Sequence, residues 1–414
     1  MMKKHVDVLI KDAEEVVTLH GSKSPRKKRE MNKLGIVKNG SVAISNGGIV
    51  AVGKLVGYEA DEVIDAAGKT VTPGFVDPHT HLVFSGYREF EMDLKLKSVS
   101  YNEIQRMGGG IGYTVECTRK ANVDTLMQEA LKRLDTMLTC GTTTCEAKSG
   151  YGLNTETELK ILEVYRRLNE KHAVDIIPTF LGAHAVPNEY RGKEDEYVDL
   201  VMEEMIPFVA KKGLARFCDV FCEEGFFTRE QARRILLEGK RHGLIPKIHA
   251  DEFTSCGGAE LASDVGAVSA DHLLKVSKTG IQKMADSGVV AVLLPATVFS
   301  LMKHEYASAR EMVDAGVPVA LATDLNPNCY TENMQFVIQL ACFYMKMTPA
   351  EALTAATINA AHAIGEADRV GSIEVGKQAD VVILDCLSHK FIPYHFGVNL
   401  VETVVKKGVV IHSI

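Results

Sequence analysis

The residues in this sequence with the clearest chemical potential are histidines and an aspartate that close or follow short apolar runs. His79 and His81 form a His-x-His motif, and three later runs end at His249, His272 and Asp324. Residues two apart in an extended segment point the same way, so both imidazoles of the motif can reach one ion. Imidazole and carboxylate ligands suit Zn²⁺ or a similar first-row metal.

Each of these features is weak when taken alone. A single His-x-His motif is more often structural than metal-binding, and a histidine at a strand end is usually packed in a core or a loop. Asp324 precedes Leu-Asn-Pro, a context in which aspartate is commonly a turn former. The agreement of several independent strand ends is what predicts a metal site.

Eight short apolar runs alternate with longer amphipathic stretches from residue 71 onward, which predicts parallel strands joined by helices. This pattern predicts an α/β fold, a TIM-type (β/α)8 barrel, whose active sites form at the C-terminal ends of the strands. The candidate ligands lie at that face. The runs are 71–77, 142–147, 175–180, 216–221, 244–249, 267–272, 288–294 and 318–324.

Both ends of the chain have strand character. Residues 1–70 contain short alternating runs between Gly and Asn turns, and residues 371–414 return to this pattern after the last helical stretch, which begins at Thr348 and Pro349. We expect the two ends to pair into one small β-sandwich domain beside the barrel, which takes residues 71–370.

The composition narrows the class of protein. The 414 residues carry 47 Lys and Arg against 54 Asp and Glu, a net charge of −7 that argues against a nucleic-acid binder. No apolar run has the roughly 18 residues of a membrane span, and the N-terminus lacks the apolar region of a signal peptide. Nine cysteines, an odd number, are most simply reduced thiols in a cytoplasm.

Two segments of the sequence match motifs of a known protein family. Residues 73–81 read Pro-Gly-Phe-Val-Asp-Pro-His-Thr-His, and residues 376–381 read Gly-Lys-Gln-Ala-Asp-Val. With these motifs the sequence resembles the amidohydrolase superfamily essentially from end to end. Other segments resemble the members that open the cyclic amide of 4-imidazolone-5-propanoate to N-formimidoyl-L-glutamate, a step of histidine degradation. Those segments are 146–153, 180–187, 249–252 and 394–399.

The resemblance implies metal ligation by His79, His81, His249 and Asp324. One divalent ion per chain is favoured, because two-metal members usually supply a bridging lysine at the fourth strand and residues 216–225 contain none. An unusual bridge through Glu223 is the alternative. Imidazole and carboxylate accept both Zn²⁺ and iron, so the sequence does not choose between them. The family also suggests a homodimer.

The resemblance implies hydrolysis of the amide by water that a metal ion makes more acidic. Asp324 would accept a proton from the water, and His272 would hydrogen-bond the water or the developing oxyanion. Glu252, three residues past His249, would pass a proton to the leaving ring nitrogen. The alternative for Glu252 is a carboxylate on a surface loop.

The negative tail of such a substrate needs a local cation in a protein of net charge −7. Arg88, in the segment that leaves the first barrel strand, is the candidate because a guanidinium can bind both oxygens of a carboxylate. The alternative is a solvated arginine paired with Glu89 or Glu91. Tyr151 and His184 would add hydrogen bonds from neighbouring loops.

Asn326 and Asn328 would touch the substrate by analogy with the family. The family commonly has Gly and then Ser or Thr after Asn-Pro, whereas Asn328 and Cys329 stand there in this sequence. This departure leaves the fine substrate contacts open but not the reaction class. Lys148, near the end of the second strand, could be a charge partner or an exposed cation, and structural support of the Tyr151 loop is the favoured interpretation.

The sequence is also compatible with two other functions. A nucleobase or triazine-type aminohydrolase would use the same metal set, and the His-x-x-Glu spacing at 249–252 also occurs in related deaminases. Such an enzyme gives no reason for an arginine soon after the His-x-His motif, and residues 148–153 are not typical of it. A non-catalytic scaffold would have lost ligands that this sequence keeps.

Overall fold

The computed structural model describes residues 4–21, 23–99 and 101–413. The strands are β1 Lys4–Val17, β2 Ile36–Ser45, β3 Gly48–Gly53, β4 Tyr58–Asp65, β5 Thr70–Pro73, β6 Phe75–Asp77, β7 Thr142–Lys148, β8 Asp175–Ala183, β9 Phe217–Cys222, β10 Ile245–Ala250, β11 Ser269–His272, β12 Val290–Leu293, β13 Val319–Leu321, β14 Val381–Leu384, β15 Val401–Lys406 and β16 Val409–Ser413. The α-helices are α1 Met92–Leu96, α2 Tyr101–Arg106, α3 Gly110–Lys120, α4 Val123–Thr139, α5 Thr155–Lys171, α6 Glu194–Leu200, α7 Ile206–Lys212, α8 Arg229–Arg241, α9 Gly258–Val265, α10 Lys278–Ser287, α11 Pro295–Ser300, α12 Ala309–Ala315, α13 Met334–Met345, α14 Pro349–Ala355, α15 Ile358–Ala363 and α16 Phe391–Tyr394. Short 3₁₀ turns lie at Lys28–Asn32, Glu89–Glu91 and Asn188–Tyr190, and a π-helical turn at Val201–Met205 joins α6 to α7.

Eight parallel strands form the predicted barrel in chain order, from β6 to β13. Backbone hydrogen bonds between its first and last strands close it: Asp324 N donates to His79 O at 3.1 Å, and His81 N donates to Leu325 O at 2.8 Å. Every residue of β7 and β9 is buried, as expected of a parallel sheet with both faces covered. The closure places the His-x-His motif directly beside Asp324.

Strands from both ends of the chain form a second sheet, in the order β16-β15-β14-β5-β1-β2-β3, with β4 paired to β1. β14 runs antiparallel to β5, with Val381 opposite Pro73. The sheet has its own apolar core, separate from that of the barrel, which includes Ile10, Val42 and Val405. The prediction that the two chain ends join in one small β-domain is confirmed. Its separate apolar core agrees with the predicted sandwich. The domain boundaries at residues 70 and 371 stay predictions.

The first predicted barrel run is shared between the two sheets. Thr70–Pro73 is β5 of the small sheet, and Phe75–Asp77 is β6 of the barrel. Gly74, between them, lies so close to Thr143 that a Cβ would come within 2.2 Å of its Oγ1. A continuous apolar run does not show where a chain passes from one sheet to another, so the sequence pattern merged the two strands.

Helix starts follow their capping residues. α14 begins after Thr348, whose hydroxyl accepts a hydrogen bond from Glu351 N while the Glu351 carboxylate accepts one from Thr348 N. Thr228 and Gln231 make the same capping box at α8. In the part of the chain that the structure describes, no helix has the length and apolarity needed to cross a membrane.

Candidate active site

The predicted metal ligands meet at the C-terminal end of the barrel. His79 and His81 follow β6, His249 lies near the end of β10, and Asp324 follows β13. Nε2 of His79 lies 3.5 Å from Oδ1 of Asp324, and Nε2 of His81 lies 3.7 Å from the same atom. The ring centroids of His79 and His249 are 4.5 Å apart. All four side chains are buried.

Two overlapping groups of candidate ligand atoms share His79. One contains His79, His81 and Asp324, the other contains His79, His249 and His272, and the atoms of each group lie within 4.8 Å of one another. Nε2 of His79 and both ring nitrogens of His249 are buried without a hydrogen-bond partner among the described residues. Because such orphaned nitrogens are costly, and one ion would satisfy several at once, the donor set fits a divalent first-row metal.

The imidazole of His272 lies near both the predicted metal ligands and Glu252. Its ring centroid is 5.3 Å from that of His249, and its Nδ1 is 3.7 Å from Oε2 of Glu252. Burial, and after it the nearby His249, lowers the pKa of His272 well below its usual value. A neutral imidazole in this position can hydrogen-bond a reacting water, and it also lies within reach of an ion.

Two buried aspartates contact the imidazoles from within the barrel. Oδ2 of Asp271 lies 2.6 Å from Nδ1 of His79. Oδ2 of Asp219 lies 3.1 Å from Nδ1 of His249, although the two groups are not aligned for a hydrogen bond. A carboxylate at Nδ1 leaves Nε2 as the nitrogen that faces a metal. Sequence reasoning assigned no role to either aspartate; for Asp271 the one available signal is its position next to His272.

Asp324 and Glu252 are two carboxyl groups of one cavity with different surroundings. Burial raises the pKa of Asp324 to about 6, against the effect of Thr297, whose hydroxyl donates to Oδ2 of Asp324 at 2.5 Å. Burial raises the pKa of Glu252 well above its usual value, and the charge of Asp324 raises it further. Glu252 faces the cavity rather than the molecular surface, and its protonated form is favoured there.

Glu223 holds the loop that carries Glu252. Its Oε2 accepts a hydrogen bond from Phe253 N at 2.8 Å, and its Oε1 accepts one from Thr254 N at 3.1 Å. Neither candidate ligand group, in the part of the chain described, includes Glu223. The structure therefore gives this residue a loop-anchoring contact in place of the metal bridge considered from the sequence.

Arg88 is buried in the wall of the same cavity, with 4% of its surface exposed. Its Nε donates to Oε1 of Glu91 at 2.7 Å, and one terminal nitrogen donates to Oε2 at 2.8 Å. The pairing with Glu91 that the sequence offered as an alternative is present, but the arginine is not solvated. Glu91 fixes the guanidinium at the cavity.

One cavity opens onto the ligand set and is lined by all the predicted substrate contacts. These are Arg88, Tyr151, His184, Glu252, Asn326 and Asn328. The same wall contains residues that sequence reasoning missed, namely Ile111, Phe221, Phe226, Phe253, Thr297 and Leu301. Most of these are apolar and come from separate loops and helices, so their spacing along the chain gives no signal of a common site.

His184 and Tyr151 flank His81 on one side of the cavity. The ring of His184 stacks on that of His81, with centroids 4.9 Å apart and planes 17° from parallel. The ring of Tyr151 lies 5.5 Å from that of His81. Burial, and after it the nearby His249, lowers the pKa of His184 to about 3, while its Nδ1 lies 3.0 Å from Gly150 O. His184 is therefore a neutral hydrogen-bonding group at neutral pH.

The two asparagines of the loop after β13, Asn326 and Asn328, differ in the hydrogen bonding of their side chains. The amide of Asn326 shapes the loop, since its Oδ1 accepts from Asn328 N at 2.7 Å and its Nδ2 donates to Asp324 O at 2.8 Å. Oδ1 of Asn328 is buried without a hydrogen-bond partner among the described residues. Cys329 is buried with its thiol 3.5 Å from Thr323 O. Asn328 is the asparagine with an unused acceptor at the cavity.

Comparison with known proteins places this geometry in a family. The Amidohydrolase family matches residues 70–411. An imidazolonepropionase of Geobacillus kaustophilus (strain HTA426) is 56% identical over 414 residues, covering 98% of this chain and 97% of the relative. The imidazolonepropionase of Alkaliphilus metalliredigens (strain QYMF) is 53% identical over 410 residues, covering 97% of each. This chain belongs to the imidazolonepropionase family of amidohydrolases.

Solved structures similar to this member of the imidazolonepropionase family are more distant in sequence. An adenosine deaminase from Xanthomonas campestris with bound zinc has a TM-score of 0.72 at 20% identity, covering 99% of this chain and 94% of that one. The atrazine chlorohydrolase TrzN from Arthrobacter aurescens TC1, complexed with zinc, has a TM-score of 0.70 at 18% identity, with 98% and 95% covered. At these identities the similarity establishes the shared fold.

Proposed function

We propose that this chain is a metal-dependent hydrolase that opens the cyclic amide of 4-imidazolone-5-propanoate to N-formimidoyl-L-glutamate, a step of histidine degradation. The observation that carries the proposal is the buried cluster of three imidazoles and a carboxylate beneath a cavity that also holds a fixed arginine and a buried glutamate. Relatives named imidazolonepropionase, more than half identical over nearly the full length, support the choice of substrate.

His79, His81, His249 and Asp324 are the proposed ligands of one divalent ion per chain, Zn²⁺ or iron. Such an ion, when bound, polarises the amide carbonyl and makes water more acidic. Asp271 is hydrogen-bonded to Nδ1 of His79, and the carboxylate of Asp219 lies against the Nδ1 side of His249. We assign His272 to hydrogen bonding rather than ligation, because it lies beside Glu252 at the cavity.

Asp324 and Glu252 are the proposed base and acid of the reaction. A carboxylate positioned beside the reacting water can act as a general base, and Oδ1 of Asp324 lies 3.5 Å from Nε2 of His79 and 3.7 Å from Nε2 of His81. Asp324 accepts a proton from the attacking water, and His272 orients that water or donates to the oxyanion that develops. Glu252, whose charged form burial disfavours, passes its proton to the leaving ring nitrogen.

The substrate is held by its negative tail. The guanidinium of Arg88, fixed by Glu91, pairs with the propanoate carboxylate while the ring lies over the proposed ligands. Tyr151, His184, Asn326 and Asn328 supply further polar contacts from the same wall. Glu252 also touches the substrate, since it transfers a proton to it.

We further propose a cytoplasmic homodimer that binds neither nucleic acid nor membrane. The net charge of −7 and nine cysteines that are all free thiols support the absence of nucleic-acid binding and the cytoplasmic location. Exposed aromatic side chains, which self-association would cover, support the dimer; they include Tyr87, Phe299, Phe343 and Tyr344.

A substrate panel with metal analysis tests the proposed function. Purified protein should hold one divalent ion per chain and turn over imidazolonepropanoate, but not adenosine, guanine or cytosine. His249→Ala should lose most of the metal and nearly all activity. Two tightly held ions per chain in the wild type would contradict the single-metal site, and preference for a nucleobase would contradict the substrate.

A further inference from the structure

The second barrel strand ends in a lysine whose contacts the proposed mechanism does not use. Lys148 is fully buried at the end of β7. Its Nζ donates to Oε1 of Glu146 at 2.7 Å and to Oδ2 of Asp219 at 2.8 Å. It also lies 3.5 Å from Oδ2 of Asp271. A single ammonium group thus joins three carboxylates inside the barrel.

Two of these carboxylates are the ones that contact the proposed metal ligands. Oδ2 of Asp219, which accepts from Lys148, is the same atom that lies 3.1 Å from Nδ1 of His249. Oδ2 of Asp271 is the same atom that lies 2.6 Å from Nδ1 of His79. Lys148 is therefore connected, through one carboxylate each, to ligands on two different strands.

The ammonium group of Lys148 is a cation that both aspartates share. Asp219 and Asp271 lie within 3.5 Å of one nitrogen, and two carboxylates so placed in a buried site repel each other strongly without a cation between them. The neighbouring buried lysine, Lys247, donates to Pro78 O at 3.2 Å instead. No ion pair joins Lys247 to either aspartate among the residues the structure describes, so it does not duplicate this contact.

We propose that Lys148 is a positioning residue of the metal centre: it holds Asp219 and Asp271, and through them it sets the orientation of the His249 and His79 rings and hence the metal affinity. The inference rests on the proposed function, in which the two histidines are ligands. Partners that orient metal-bound histidines typically account for about 10–100-fold in metal affinity. Lys148 does not line the substrate cavity, so its effect acts through the metal site.

Lys148→Met tests the proposal, because methionine fills similar space without the charge. The matched control is Lys406→Met, which removes another buried lysine whose Nζ donates to Oδ2 of Asp380 at 2.6 Å and Oδ2 of Asp175 at 2.8 Å, away from the ligands. Each variant breaks a buried ion pair, so both should melt at a lower temperature than the wild type. We expect the dissociation constant for Zn²⁺, measured by competition with a chromophoric chelator, to rise about 10–100-fold in Lys148→Met alone.

A spectroscopic measurement complements the affinity. The visible absorption of the Co²⁺-loaded protein reports ligand geometry, and it should change in Lys148→Met but not in Lys406→Met. An unchanged Zn²⁺ affinity together with an unchanged Co²⁺ spectrum in folded Lys148→Met would overturn the proposal. Equal losses of Zn²⁺ affinity in both variants would also overturn it, since the effect would then be general destabilisation.

Lys148→Arg decides the question if Lys148→Met does not fold. Arginine keeps the charge, but its guanidinium carbon occupies the chain position of Nζ, so the hydrogen bonds to the carboxylates change. A lowered Zn²⁺ affinity of the folded variant supports the proposal, and an unchanged affinity overturns it. Failure of the proposed function looks different. If the wild-type protein binds no metal, both the proposed function and the role of Lys148 are wrong. If the wild type binds metal and is active, but its Lys148 variants bind Zn²⁺ equally well, only the role of Lys148 is wrong.

Discussion

Glu252 and Asp324 show how its surroundings change the acidity of a single carboxyl group. Burial raises the pKa of both carboxyl groups, but Thr297 stabilises the charged form of Asp324 and the charge of Asp324 disfavours that of Glu252. Two carboxyl groups with different neighbours in one cavity can serve as a base and an acid. These effects of Thr297 and Asp324 cannot be deduced from residue type or chain position.

Glu252→Gln tests the acid role at this scale. Glutamine keeps the shape of the side chain but has no acidic proton to give, so kcat should fall about 10²–10⁴-fold. Metal content, measured by elemental analysis, should stay at the wild-type value, because Glu252 belongs to neither candidate ligand group. Turnover within a few-fold of wild type would show that Glu252 is not the acid.

Arg88→Ala tests recognition of the substrate tail. Loss of a charge-assisted contact costs about 1.5–3 kcal/mol, so kcat/KM for imidazolonepropanoate should fall roughly ten- to a hundredfold. The substitution also leaves Glu91 without its bidentate partner, so an imidazolone without the carboxylate serves as the control for general disturbance. Its kcat/KM should fall much less; equal losses for both compounds would remove Arg88 from the carboxylate site.

At the scale of elements, the site depends on loops that neighbouring strands hold in place. Backbone hydrogen bonds between the ends of β6 and β13 bring His79 against Asp324. The loop after β10 is held from the end of β9 by Glu223, which accepts from two of its backbone N–H groups. The position of Glu252 therefore depends on a residue that belongs to neither candidate ligand group and does not line the cavity, as far as the described residues show.

Glu223→Ala tests this dependence. Without the anchor, the loop of Glu252 should shift, and kcat should fall by about tenfold or more, because misplacement by about 1 Å can cost about 10²-fold. Metal content should be retained. The control is Glu224→Ala, which removes an exposed carboxylate from the adjacent position and should leave kcat unchanged. Equal kcat values for the two variants would contradict the anchoring role.

Some elements could be predicted from the sequence and others could not. The start of α14 was predictable because its cap, Thr348 with Pro349 at the first position, is a local signal. The split between β5 and β6 at Gly74 was not, since both strands are apolar and the change of sheet depends on their partners. Local patterns specify an element's type, but pairing specifies which sheet it joins.

At the scale of the whole molecule, an ion pair between Lys406 and Asp175 joins the small sheet to the barrel. Nζ of Lys406, in β15, donates to Asp175 at the start of β8 at 2.8 Å. Within the small domain, Oε2 of Glu15 lies 2.8 Å from Nδ1 of His389 and accepts from His389 N at 3.0 Å. These contacts connect the first strand of the chain with its C-terminal segment, across almost the full sequence.

The Glu15 pair predicts a dependence of stability on pH. Burial alone would raise the pKa of Glu15, but His389 and, to a lesser extent, Lys38 lower it from 4.5 to about 2. The carboxylate therefore stabilises the fold above pH 4.5, and this stabilisation is lost as pH falls from 4.5 towards 2. Glu15→Gln should lower the free energy of unfolding by about 2–3 kcal/mol at neutral pH, and by progressively less in acid.

Chemical denaturation at several pH values measures this difference. Glu14→Gln is the matched control, because that neighbouring carboxylate is half-buried and pairs only with Lys38 among the residues described. It should change the free energy of unfolding by less than about 1 kcal/mol, as surface ion pairs do. A loss in Glu15→Gln that stays constant from about pH 7 to about pH 2 would contradict the ionic origin of the stabilisation.

The sequence by itself determined the eight-strand rhythm, the candidate ligands and the family resemblance, because these depend on residue type, strand period and short motifs. The tertiary structure alone decided which groups surround those ligands. The hydrogen bond from Lys148 to Asp219 joins residues 71 apart, and the contact of His79 with Asp271 joins residues 192 apart. Such contacts depend on strand register and on closure of the barrel, which no local pattern encodes. For the same reason Lys148, interpreted from the sequence as support for a loop, is found beneath the candidate metal centre.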